Sequence, residues 1–276
     1  MAAGERVVVT GASSGIGEAC VLRLVRTGRK VFAGVRTEAD AERLNGQGAE
    51  PLMLDVTDPA SIAAAAETLR GGPLHGLVNN AGIALSMPLE FLPLAELRRQ
   101  LEVNLVGQVA VTQAFLPHLR AARGRIVNVG SIAGHSALPF LGAYAASKHA
   151  LEAVTDALRV ELQPFGIEVA IVEPGTIGTP MWRKGAEGFQ RLAADMPDDL
   201  GRLYGGRLEA FRRAAAAAAQ RGEPADNVAE VVERALTAKR PKTRYLVGRD
   251  ARRRARVERL PDRLRDRVYE RVLLRG

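Results

Sequence analysis

The chain has 276 residues, 47% hydrophobic, 25% charged and 4% aromatic, with a formal net charge of +8. That length holds one large α/β domain or two small ones, the apolar share excludes wholesale disorder, and no apolar run approaches the ~20 residues of a membrane span. The positive charge is local: residues 239–276 carry 15 Lys+Arg against 5 Asp+Glu, while residues 1–238 carry 24 against 26.

In chain order, short β-branched runs alternate with helical patterns. Strands are predicted at 6–10, 30–35, 50–54, 76–79, 124–129, 167–172 and 243–247, and helices at 15–27, 93–119, 142–163 and 227–238, with the alanine run 214–219 also read as helix. This alternation predicts βαβ units and a parallel, doubly wound seven-stranded sheet with helices on both faces. The domain spans residues 1–248, with an insert at 181–222, and residues 249–276 follow as a helical tail. The N-terminus runs almost directly into Val7-Val8-Val9, without the pattern of a signal peptide. One thiol, Cys20, without a Cys/His cluster, points to a reducing, cytoplasmic setting and to no metal site.

After the first strand comes T-G-A-S-S-G-I-G, Thr10 to Gly17. Glycines at a strand-to-helix turn let the backbone approach a pyrophosphate, and the helix N-terminus offers N–H groups and partial positive charge; a tight βα turn without a ligand also favours glycine. At the end of the second strand stands Gly34-Val35-Arg36-Thr37. No carboxylate is there to hold a ribose 2′-hydroxyl or repel a 2′-phosphate, and Arg36 could pair with that phosphate, so NADP(H) is expected in preference to NAD(H). The alternative is a solvated arginine at a strand end.

Tyr144 and Lys148 in Y-A-A-S-K fall one turn apart on a helix face. A lysine charge beside the phenol would bring its pKa toward neutrality. Ser131 ends the fifth strand thirteen residues earlier, and His75, His118, His135 and His149 show neither metal-ligand spacing nor a hydrolase triad.

The T-G-x-x-x-G-x-G turn, N-N-A-G at 79–82 and the Y-x-x-x-K motif resemble the short-chain dehydrogenase/reductase family, from about Val7 to Thr179 and again at the seventh strand. The resemblance implies a Rossmann-type sheet of order 3-2-1-4-5-6-7 and an assembly into dimers or tetramers. It implies cofactor contacts from the turn (Gly11, Ser13, Ser14, Gly15, Ile16, Gly17), from Arg36 and Thr37, and from Asp55 and Val56. Further contacts come from Asn79, Ala81 and Gly82, from Tyr144 and Lys148, and from Pro174, Gly175, Ile177 and Thr179 in P-G-T-I-G-T. The catalytic set would be Asn104, holding a water, Ser131, orienting the substrate oxygen, Tyr144, exchanging the proton, and Lys148. The implied reaction is reversible hydride transfer between nicotinamide C4 and a secondary alcohol or ketone. A silent cofactor-binding protein would be suggested by loss of Tyr144 or Lys148, and both are present.

Val-Phe-Ala-Gly-Val-Arg in the second strand and Arg-Tyr-Leu-Val-Gly before the tail loosely resemble the steroid and retinol dehydrogenase-like branch, which implies a lipophilic substrate. Ser131, Tyr144, Met181 and Trp182 are its expected contacts. Phe189, Leu192, Met196, Leu203, Tyr204 and Phe211 either help to roof the pocket or pack as an extra helix pair. In the tail, Val257, Leu260, Leu264, Val268 and Val272 recur at helical spacing around Pro261. The interspersed Glu258, Asp262, Asp266 and Glu270 favour docking on the domain or a sister subunit over an anionic membrane surface. No nucleic-acid partner is expected, because the near-neutral body lacks an aromatic and basic platform.

Overall fold

Runs of β-branched residues form the centre of the molecule, where parallel strands are covered on both faces. The computed structural model describes residues 4–194 and 198–274, so Met196 lies outside the described residues. The strands are β1 (Arg6–Val9), β2 (Lys30–Val35), β3 (Glu50–Met53), β4 (Gly76–Asn79), β5 (Arg125–Val129), β6 (Glu168–Pro174) and β7 (Arg244–Val247). All pair in parallel, in the order β3-β2-β1-β4-β5-β6-β7. The helices are α1 (Gly15–Arg26), α2 (Glu38–Asn45), α3 (Pro59–Thr68), α4 (Leu94–Leu101), α5 (Gly107–Ala122), α6 (Gly142–Glu161), α7 (Pro180–Ala194), α8 (Asp199–Gln220), α9 (Ala225–Thr237), α10 (Arg249–Val257) and α11 (Asp262–Tyr269).

The two-residue period of β1 divides the core. Val7 and Val9 join Cys20, Val21 and Leu24 of α1 and Val228 and Val232 of α9, while Val8 joins Phe115 and Leu119 of α5 on the opposite face. Burying each such side chain contributes roughly 1.5–3 kcal/mol, so the sheet is fastened from both sides. Arg23 ties α1 to α9 through Glu233 at 2.8 Å and Asp226 at 3.1 Å.

Two departures from the sequence expectation matter for the site. The helix predicted over 93–119 is interrupted: a π-helical turn, Glu102–Val106, separates α4 from α5 and contains Asn104. Such turns recur at functional positions, where one extra residue re-aims a side chain. The tail, broken between Val257 and Asp262 into α10 and α11, docks on the domain. Tyr269 is buried with its hydroxyl 2.7 Å from Ser136 Oγ, and Leu273 and Leu274 join the apolar cluster around Tyr144.

Candidate active site

β2 and β4 flank β1 on opposite sides, and the loops leaving the strand ends part around a cleft of about 840 Å³. This is the switch point where open α/β sheets bind ligands. The first wall is the glycine turn. Gly15 holds φ +61°, and a Cβ on Gly17 would lie 2.3 Å from the Gly11 carbonyl oxygen, so α1 packs directly on the turn. Ser14 precedes α1 in extended conformation and its hydroxyl makes no capping bond, which leaves the first-turn N–H groups available to an anion. From outside, Arg43 Nη2 donates to the Ser13 carbonyl at 2.7 Å and to Asp40 at 3.1 Å, and its Nη1 binds Glu18.

Arg36 stands exposed at the cleft and forms no ion pair among the described residues. Burial acts against the nearby Asp55 carboxylate, yet the Thr57 backbone N–H at 2.9 Å, its hydroxyl at 2.8 Å and the Arg36 charge hold it below its ordinary range. Asp55, Val56, Ala81, Gly82 and Thr179 also line the cleft, with Ser13, Ser14 and Ile16. A glycine cradle, unspent helix N–H groups and an unpaired arginine together fit a phosphorylated dinucleotide.

Tyr144 and Lys148 lie one turn apart on α6, 6% and 4% exposed. Lys148 Nζ sits 6.0 Å from the centre of the Tyr144 ring and donates to the Val129 carbonyl at 2.8 Å. Burial pulls Lys148 down to about 8, against the charge of Glu152 one turn further along α6. Burial pushes the Tyr144 phenol up, and a hydrogen bond with Ser131 and the charge of Arg254 pull it partly back.

The Asn104 side chain is committed to the protein: Oδ1 accepts from Ile83 N–H at 2.8 Å, and Nδ2 donates to the Ile83 carbonyl at 2.9 Å and to Ser147 Oγ at 3.0 Å. Ser147 in turn donates to the Tyr144 carbonyl at 2.7 Å. None of Asn104, Ser131, Tyr144 and Lys148 is among the residues lining the 840 Å³ cleft; Ala84 borders both the cleft and the cluster around Tyr144.

Several other expected contacts serve the fold itself. The Thr37 hydroxyl caps α2 by accepting from Asp40 N–H at 3.3 Å, and Asn79 Nδ2 donates to Thr112 and Asn128, both at 2.9 Å. Pro174 ends β6 opposite Val247, Gly175 packs against the Asp250 carboxylate, and Ile177 is buried in the core. In the insert, Met181 lines the cleft, while Trp182 and Phe211 pack in the Tyr144 cluster. Phe189 and Tyr204 pack instead with Met87 and Phe91, Leu192 both joins that cluster and lines the cleft, and Leu203 is exposed.

Sequence reasoning missed Asn80, Gln100, Gln108 and Lys184. Asn80 Nδ2 donates to the carbonyls of Thr10 and Gly11 at 2.9 and 3.1 Å, bracing the glycine turn. Gln100 Nε2 donates to the Ile83 carbonyl at 3.1 Å and Gln108 Nε2 to the Ala81 carbonyl at 2.9 Å. With Asn104 they form a stripe of buried amides that satisfies the backbone after β4. Three amides spaced by four residues along a predicted helix were the available signal. Lys184, on α7, lines the cleft within electrostatic reach of Asp40.

A family model described as short chain dehydrogenase matches residues 5–188. A 3-amino-tetrahydro-pyrrolizinone reductase of Xenorhabdus hominickii is 39% identical over 252 residues, covering 90% of this chain and 88% of that protein. An NADPH-dependent 3-dehydrocapnine reductase of Ornithobacterium rhinotracheale is 36% identical over 95% of both chains. Human retinol dehydrogenase 16 is 40% identical over 89% of this chain and 81% of its own. Among solved structures, a short chain dehydrogenase from Burkholderia cenocepacia J2315 in complex with NADP superposes with a TM-score of 0.76 at 28% identity, covering 99% of both chains. One from Burkholderia phymatum in complex with NAD gives 0.78 at 25%, covering 92% of both. The family match covers most of the chain, and this protein belongs to the short-chain dehydrogenase/reductase oxidoreductases, similar to their retinol and 17-beta-hydroxysteroid dehydrogenases.

Proposed function

We propose that the protein is an NADP(H)-dependent oxidoreductase that interconverts a lipophilic secondary alcohol and its ketone, with Tyr144 exchanging the proton on oxygen. The observation that carries this reading is the buried Tyr144 phenol, one helical turn from Lys148 and near Ser131, in a cluster that shares Ala84 with the cleft of the glycine turn. A bound nicotinamide supplies or takes up the hydride at C4. Ser131 holds the substrate oxygen toward the phenol, Lys148 holds positive charge behind it, and Asn104 positions Ser147 and, through it, the Tyr144 backbone. The glycine turn, α1 and Thr179 hold the dinucleotide, and Arg36 takes the 2′-phosphate, a role supported by its exposure and lack of an ion pair among the described residues. The NADPH-dependent relative and the NADP complex also support that choice; NAD(H) use is the second reading, supported by the NAD complex of a structural neighbour.

Trp182, Phe211, Leu273 and Leu274, packed around Tyr144, suit an apolar substrate body. A reducing, cytoplasmic setting accords with Cys20, buried in α1 with its thiol pushed up to about 12 by burial. Assembly into a dimer or tetramer through the long helices belongs to the same reading, with Val160 exposed on α6, and Leu94 on α4 and Val106 in the π turn exposed ahead of α5.

The experiment is steady-state oxidation of NADPH and NADH against a panel of ketones of graded size. Wild-type protein should favour NADPH, and Arg36→Asp should reverse the preference by removing a charge-assisted pair. Tyr144→Phe should retain NADPH binding and lose about 10²-fold or more in kcat. Undiminished turnover in Tyr144→Phe would sink the assignment of the proton donor.

A further inference from the structure

The chemistry proposed for Tyr144 makes no use of Glu152 and Glu173, two acids that are 6% and 2% exposed. Glu152 stands on α6 one turn beyond Lys148, and Glu173 lies near the end of β6. The loop after β5 brings His135 against both. Its Nε2 lies 3.3 Å from Glu173 Oε1 and 3.8 Å from Glu152 Oε1, and one ligand atom from each of the three residues falls within 4.8 Å of the others. Gly134 permits that approach, because a Cβ there would lie 3.1 Å from Glu152 Oε1. Spacing along the chain gives no sign of the cluster, since three separate elements contribute one residue each.

Carboxylates kept from water need compensation. The cation at hand is Arg244 of β7, and three acids share it. Its Nη2 donates to Asp156 at 2.7 Å and its Nε to Glu152 Oε2 at 3.2 Å, which leaves Nε 3.5 Å from Glu173 Oε1. Two buried atoms, Glu152 Oε1 and Glu173 Oε1, accept no hydrogen bond of good geometry among the described residues, and both face His135. Two carboxylate charges thus meet one divided guanidinium at the point where an imidazole nitrogen converges with them.

A cation with nitrogen and oxygen ligands would supply the missing charge. Ligands about 2.0–2.2 Å from a tetrahedral zinc ion stand ~3.4 Å apart, so His135 and Glu173 already hold that spacing, and Glu152 completes the triangle by moving inward about an ångström. The His135 side chain is 40% exposed, which leaves a path for entry and room for water as a fourth ligand.

We propose that His135, Glu152 and Glu173 form a binding site for one divalent cation of the zinc class. The cation joins the loop that follows Ser131 to α6 and to β6, and Arg244 holds the outer carboxylate oxygens in place. A proton shared by the two acids is the competing occupant.

Calorimetry and thermal melts on the full chain, stripped with EDTA and dialysed free of chelator, separate the two. One Zn²⁺ per chain should bind with a Kd of about 10 µM or below, and about 100 µM Zn²⁺ should raise Tm by about 3–5 °C. Mg²⁺, which seeks an octahedron of oxygens, should do neither at that concentration. His135→Ala and Glu173→Gln should each weaken Zn²⁺ binding at least about 10-fold and remove the rise in Tm. His135 is exposed, so its alanine variant tests the ligand without opening the core. His149→Ala, on the exposed side of α6, should leave binding and Tm shift as in the wild type. Absence of saturable Zn²⁺ binding, with Tm unaltered, overturns the inference and leaves the shared proton as the account of the pair. Binding that survives both His135→Ala and Glu173→Gln also overturns it, as adventitious capture elsewhere on the surface. Equal stabilisation by Mg²⁺ overturns the assignment to the zinc class.

Discussion

Lys148 shows how burial sets the working range of a single residue. With its pKa pulled down to about 8, the ammonium stands close to losing its proton in mildly alkaline solution, whereas an exposed lysine would stay charged two pH units higher. If the charged form supports Tyr144, kcat/KM for ketone reduction should fall above about pH 8, approaching tenfold per unit. Lys148→Arg, whose guanidinium does not titrate there, should remove that limb at a lower overall rate. A profile flat to pH 10 in the wild type would dissociate Lys148 from the reaction. The Tyr144–Lys148 pair was legible in the sequence because a helix fixes what lies one turn away. Arg254 was not, because 118 residues separate it from Ser136, its hydrogen-bond partner, and its charge counted only toward the tail's total.

At the level of elements, α6 and β6 meet through two buried acids. Glu152 and Glu173 lie beside His135, whose Nε2 is 3.3 Å from Glu173, and beside Arg244 of β7, 3.2 Å from Glu152. Burial, and then the Glu173 charge, raise Glu152 from its ordinary 4.5 to about 7; the hydrogen bond to Glu173 raises His135. Between about pH 4.5 and 7 the folded protein holds a proton on Glu152 that the unfolded chain has released, so stability falls as pH rises through that window. His135 acts in the same direction, its contribution being lost as pH rises through its raised pKa. Asp40, Asp55 and Asp156, all held below their ordinary range, act oppositely, and their contribution is lost only as pH falls below about 4. Tm should therefore peak near pH 5 and drop by several degrees toward pH 8, a loss of about 2–3 kcal/mol, and Glu152→Gln should flatten that slope. A Tm that rises from pH 5 to 8 would contradict the arrangement. Periodicity gave the seven strands and their helices, but nothing in it distinguished the π turn at Asn104 from continuous helix. The turn depends on the amides Gln100, Asn104 and Gln108 meeting the carbonyls and N–H groups of residues 81–85, which is tertiary information.

For the molecule as a whole, the cleft is lined by residues between Gly11 and Leu192, while the surroundings of Tyr144 also draw on the last described residues, Leu273 and Leu274. Deleting residues 261–276 should therefore leave NADPH affinity within about threefold, lower Tm by several degrees, and reduce kcat/KM at least tenfold. Fluorescence titration, thermal melts and turnover would measure the three effects, and unchanged turnover would remove the tail from the site. Composition could locate the basic segment and its amphipathic pattern could favour docking, but only the fold placed Tyr269 on Ser136 and the leucines beside the Tyr144 phenol. The docked tail also orders events during synthesis. A ribosome adding roughly 5–20 residues per second emits the residues of the cleft several seconds before the segment that packs around Tyr144, so on the proposed reading a nascent or prematurely terminated chain should bind the dinucleotide without turning it over.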